Sequence, residues 1–149
     1  MAFGTGTHPT TQICLRASEW FAQPGLTTLD LGTGSGILAI GAARLGCEDI
    51  LARDTDEVAV RSARENVRRN GVASQVTVEQ GSLDDLVDAN RQFDLSVANL
   101  TAKIITRLAD QGIERLVRPG GRFVFSGLIE EQAEGVIEIL RNLGLHPLD

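Results

Sequence analysis

Gly32, Gly34 and Gly36 stand at every second position in "LDLGTGSGILAI", Leu29 to Ile40, just after Asp30. Residues without side chains let a ligand lie directly against the backbone, so this pattern suits the holding of a small molecule. Spacing tests which one. A phosphate-cradling loop needs Gly-x-x-x-x-Gly-Lys-Ser/Thr, and no Lys follows here. The dinucleotide fingerprint Gly-x-Gly-x-x-Gly needs a glycine at position 37, which is Ile37. Both phosphate chemistries fail. Asp54, 22 residues after Gly32, closes the next apolar stretch. An acid there can accept hydrogen bonds from both hydroxyls of a ribose. Taken singly, the glycines also read as a plain tight turn and Asp54 as a strand-end or capping acid. In this order and spacing they describe a pocket for an adenosine-like ligand without a pyrophosphate. S-adenosylmethionine meets that description, its carboxylate and amino group taking the place of the phosphates near the turn.

Such a pocket needs strands to carry its parts. "TTLDL" reads as a short buried strand before the glycines, and Ile37 to Leu45 as a helix of small and apolar residues stopped by Gly46. "EDILAR" is the next strand, and Asp56 is the N-cap of a helix running to about Asn70. "QVTVEQ" and "FDLSVANL" follow as strands, the latter leading into an amphipathic helix with Ile104, Ile105, Leu108 and Ile113. "RPGG" turns into the strand "RFVFSG", and Glu130 to Leu143 reads as a helix. Ahead of them all, Thr10 to Phe21 forms a helix, with Ile13, Ala17 and Trp20 at helical spacing. Strand and helix alternate almost throughout, which predicts an α/β fold: one doubly wound, mostly parallel sheet over residues 1–149. Function then sits on the rim formed by the loops after successive strands.

Composition narrows the partners. The 149 residues are 42% hydrophobic and carry a formal charge of -6, which disfavours a broad grip on nucleic acid. The basic segment "VRSARENVRRN" reads as a solvated helix face. Cys14 and Cys47 are too few and too far apart for a metal site or a disulfide framework, so a reduced, cytoplasmic setting is expected. The N-terminus lacks the basic start and apolar core of a signal peptide, and no run approaches the roughly 20 apolar residues of a membrane span.

Five segments occur in order: "AFGTGTHPTT" (Ala2 to Thr11), "LDLGTGSGILAI", "DTDEVAV", "VANLTA" and "RPGGRFVFSGLIEEQAEGV". With them the chain resembles a class I S-adenosylmethionine methyltransferase, and more narrowly the bacterial family acting on large-subunit ribosomal protein eleven. The resemblance covers nearly all 149 residues. It implies that Thr11, Gly32, Asp54 and Asn99 hold the cofactor, with Asp30, Gly34 and Gly36 in the same turn. Thr11 would belong to a lid over the methionine part, and Asn99 would stand beside the sulfonium methyl as the catalytic residue. Phe3, Gly4, Gly6 and His8 are further lid candidates. The implied reaction moves a methyl group to lysine ε-amino or α-amino groups of the ribosomal protein, leaving S-adenosylhomocysteine.

Some positions depart from the family pattern. Glu57 replaces the usual proline after the second acid, and Ser82 stands where many relatives have an acid near the adenine. Relatives carry an N-terminal recognition domain and two final strands, so a catalytic-domain fragment is expected. Two other readings stay open. A nucleic-acid base methyltransferase would follow Asn99 with Pro-Pro and an aromatic, whereas Leu100, Thr101 and Ala102 follow here and the chain has no Tyr. A fragment that binds cofactor without turnover would expose "RFVFSG" as a sheet edge prone to self-association.

Overall fold

The computed structural model describes residues 8–148. Five strands, β1 (Thr27–Leu31), β2 (Asp49–Asp54), β3 (Val76–Gln80), β4 (Phe93–Asn99) and β5 (Val117–Ser126), form a sheet ordered β3-β2-β1-β4-β5. All four pairings are parallel. Helices α1 (Pro9–Phe21), α2 (Ile37–Arg44) and α3 (Glu57–Arg69) cover one face, packing on Ile50, Ala52, Val76, Leu95 and Val97. Helices α4 (Leu83–Asp88), α5 (Ala102–Asp110) and α6 (Glu130–Asn142) cover the other, over Leu29, Leu31, Leu51 and Ala98. Cover on both sides explains why the central strands read as continuous apolar runs. The strand order reverses between β1 and β4, and their outgoing loops part there to leave a crevice. No helix among the described residues is long and apolar enough to cross a membrane.

The expected elements are present, with four differences. Helix α1 is in place, but Ile13 is 59% and Trp20 81% exposed, while Thr11, Cys14 and Ser18 are buried. Two hydrogen bonds at its N-terminal turn set this rotation: Asn99 Nδ2 donates to Thr11 Oγ1 at 3.3 Å, and Ser126 Oγ to the Thr10 carbonyl at 3.1 Å. One residue along a helix is a step of about 100°, so anchoring Thr11 inward carries Ile13 out. Ile113 is not part of α5, which ends at Asp110; after Gly112 it opens a 3-10 turn over Ile113–Leu116. "RPGG" lies inside β5 as an irregularity: Phe93 pairs with Val117 and Leu95 with Arg122, so the intervening residues bulge. Helix α4 was not anticipated. Its start is a capping box in which Ser82 and Asp85 exchange bonds, a signal that "SLDD" carries openly. The basic helix α3 is solvated, as expected, with Arg61–Glu57 and Arg69–Glu65 pairs along its face.

Gly127 joins β5 to α6 beside the crevice. Its φ is +90°, and a Cβ there would stand 2.5 Å from the Leu100 carbonyl oxygen. That loop is already tied, since Leu100 N–H donates to the Ser126 carbonyl at 3.0 Å. Gly127→Ala should therefore lose roughly 2–3 kcal/mol in urea unfolding, backbone strain and backbone collision acting together. Gly25→Ala is the control, with φ +83° but nothing within 4 Å, and should lose about 1 kcal/mol. Equal losses would remove the collision from the account.

Candidate functional site

At the carboxyl ends of β1, β2 and β4 the crevice holds a cavity of about 810 Å³. Gly32, Gly34, Asp54 and Asn99 line it, beside apolar walls from Leu31, Val58, Leu83, Leu100 and Ile104. The glycine turn is tied to the end of β2. Gly32 and Thr33 N–H groups donate to the Arg53 carbonyl at 2.8 and 2.9 Å, and Gly34 N–H donates to Asp54 Oδ2 at 3.0 Å. Asp56 N–H donates to Asp54 Oδ1 at 3.0 Å. Two of the roughly four acceptor positions of a carboxylate are thus used, which leaves capacity for a vicinal diol. The acid and the turn, paired by spacing in the sequence, are one hydrogen-bonded unit.

Asp30 and Gly36 belong to that unit without lining the cavity. Asp30 is 1% exposed; its Oδ2 accepts from Thr33 Oγ1 at 2.6 Å and from Ala39 N–H at 3.1 Å. It holds the turn against the start of α2. Gly36 permits close packing: a Cβ there would lie 3.3 Å from Ala63 of α3. Thr11 also lies off the cavity wall, fully buried, and reaches the site through its contact with Asn99. His8 caps α1, its Nδ1 accepting from Thr10 N–H at 3.3 Å. Phe3, Gly4 and Gly6 lie outside the described residues. Among the residues lining the cavity, sequence reasoning passed over Arg53, although a charge inside the apolar strand "DILARD" marked it, and Leu100.

Burial pushes the Asp30 carboxyl up to about 6, reinforced by the charge of Asp54 and opposed by the bonds from Thr33 and Ala39. An unfolded Asp titrates near 3.9. Between the two values the folded chain binds the extra proton, so stability rises as pH falls through 6 and is lost as pH climbs back. Wild type should gain about 1 kcal/mol from this group between pH 7.5 and 5, and Asp30→Asn should not. Urea titrations at the two pH values check it; parallel curves for both proteins would refute the assignment. Asp94, held below the usual carboxylate range chiefly by the Thr27 N–H, acts in the opposite sense and only at lower pH. Cys14, beneath the site, has its thiol pushed up to about 11 by burial, against a hydrogen bond with Ser126 and with the Asp30 charge adding. A thiol so held is not a nucleophile at neutral pH. No group of three or more His, Cys, Asp or Glu among the described residues could hold a metal ion.

A parallel doubly wound sheet, a cavity at its order reversal and a strand-end acid bonded to a glycine turn together define a Rossmann-like domain of the methyltransferase type. The chain belongs to the ribosomal protein L11 methyltransferase family, whose model, described as "Ribosomal protein L11 methyltransferase (PrmA)", matches residues 1–147. Two relatives named ribosomal protein L11 methyltransferase illustrate the similarity. One from Listeria innocua is 49% identical over 146 residues, 97% of this chain and 46% of the relative. One from Geobacillus thermodenitrificans is 51% identical over 136 residues, 91% of this chain and 43% of the relative. The chain therefore spans under half the length of these relatives. A crystal structure of ribosomal protein L11 methylase from Lactobacillus delbrueckii subsp. bulgaricus superposes with a TM-score of 0.83 at 36% identity, covering 96% of this chain and 71% of that one.

Proposed function

We propose that this domain binds S-adenosylmethionine in the crevice and serves transfer of its methyl group to amino groups of ribosomal protein L11, on lysine side chains or the α-amino terminus. The observation that carries the cofactor reading is Asp54, bonded to Gly34 and lining a cavity of about 810 Å³ that has room for the cofactor. Gly32 and Gly34 offer bare backbone to the ligand, Asp54 offers carboxylate oxygens to the ribose diol, and Leu83, Leu100 and Ile104 offer apolar cover to the base. The residues present fit the group. Family membership supports the acceptor.

When bound, the sulfonium cofactor supplies an electrophilic methyl group for a neutral amine. The chain's own residues position and desolvate the acceptor. A free lysine amine titrates near 10.4, and burial beside positive charge lowers that value, so the amine enters its reactive form without a dedicated base. Asn99 donates its amide N–H to Thr11, which leaves its carbonyl oxygen free in role to accept from an amine N–H and aim the nitrogen. Thr11 is then the residue that keeps the Asn99 amide in that orientation. The test is transfer of tritiated methyl groups to purified L11, with removal of its lysines separating side-chain from terminal acceptors. No label on L11 from protein that binds S-adenosylhomocysteine would leave a cofactor-binding domain without this activity. Label on ribosomal RNA instead would favour the nucleic-acid reading.

A further inference from the structure

Ser126 closes β5 and is the one buried residue of that strand, whose apolar side chains Phe123, Val124 and Phe125 are only half-buried. A buried polar group is the more telling observation, because burial costs it hydration unless a bond replaces the water. Here the bond runs to another element. Ser126 Oγ donates to the Thr10 carbonyl in the first turn of α1 at 3.1 Å, and Cys14, one turn further along α1, meets the same hydroxyl. The main chain of Ser126 is tied elsewhere. It pairs in register with Asn99 of β4, and its carbonyl accepts from Leu100 N–H at 3.0 Å. One residue thus joins the first turn of α1 to the end of β4.

The bond to Thr10 meets no need of the helix itself. The first turn of an α-helix leaves N–H groups without partners, not carbonyls, and the Thr10 N–H already donates to His8 Nδ1. A hydroxyl donating to a first-turn carbonyl adds position alone. Position matters at the next residue. Thr11 Oγ1 accepts from Asn99 Nδ2 at 3.3 Å, at the long end for an N–H···O bond, so a drift of α1 by about half an ångström would lose it. Asn99, Ser126, Thr10 and Thr11 therefore form a closed ring. Strand pairing fixes one side of it, and two side-chain hydrogen bonds fix the other.

Resting on the role given to Asn99 above, we infer that Ser126 is a positioning residue for methyl transfer: its hydroxyl fixes the first turn of α1 so that Thr11 holds the Asn99 amide with its carbonyl oxygen turned to the acceptor amine. Ser126→Ala keeps the side chain small and removes the donor. It should lower kcat for transfer to L11 about tenfold, while S-adenosylhomocysteine affinity stays within about twofold because Asp54 and the glycine turn are untouched. In a Thr11→Val background the same substitution should lower kcat by less than about twofold, since the link it supports is already gone. A role confined to stability would give independent losses that multiply. Nuclear magnetic resonance of the cofactor-free protein reads the link without turnover: the Asn99 side-chain amide signal should move in Ser126→Ala. An unmoved signal, an unchanged kcat or multiplying losses in the double variant each overturn the inference and leave the proposed function standing. No transfer by wild type that binds S-adenosylhomocysteine overturns the inference and the proposed reaction together. Should Ser126→Ala fail to give a native circular-dichroism melt, Ser126→Cys, with its weak donor, takes its place in every arm.

Discussion

Asp54→Ala should weaken S-adenosylhomocysteine binding about a hundredfold in calorimetry while the protein stays folded. A carboxylate accepting from a diol makes charge-assisted hydrogen bonds, and the loss of two of them amounts to about 3 kcal/mol once water has replaced the carboxylate. Asp54 has a second duty that pushes the same way. It accepts from Gly34 N–H, so its removal also frees the glycine turn on which the rest of the ligand would lie. Asp54→Asn separates the two effects: it keeps one carbonyl acceptor for the turn and loses the charge, and should weaken binding less. Binding unchanged in Asp54→Ala would end the ribose assignment. Folding should persist because Gly32 and Thr33 still donate to the Arg53 carbonyl.

Asn99→Ala should lower methyl transfer to L11 by about a hundredfold at saturating cofactor, with little change in cofactor affinity. The amide is held from one side, its Nδ2 donating to Thr11 Oγ1, and positioning errors near 1 Å at a reacting centre carry losses of that order. The loss should fall on kcat, since alanine still fills the end of β4 and leaves Asp54 and the glycine turn intact. Thr11→Val then reports on the support for Asn99. It keeps the buried volume, removes the hydroxyl, and should lower kcat by a smaller factor without affecting the cofactor. Equal loss of kcat and affinity in Asn99→Ala would instead place this residue in binding.

Features with short-range causes were legible along the chain. Alternating and continuous apolar runs specified the strands and their cover, and glycine spacing with Asp54 specified a turn joined to a neighbouring strand end. Both follow from backbone geometry that extends only a few residues or from adjacency of parallel strands. Tertiary structure decided the rest. Asp30 sits in the glycine motif yet faces inward, because its carboxylate is captured by Thr33 and Ala39. The stripe of Ile13 and Trp20 marks α1 as a helix, but its rotation comes from Asn99 and Ser126, 88 and 116 residues away from their partners in α1. Arg53 carries no meaning in "DILARD" until β3 and α4 bring Gly81 and Asp85 against it. Periodicity reports which residues can share a face; which face is buried depends on neighbours that only the folded sheet supplies.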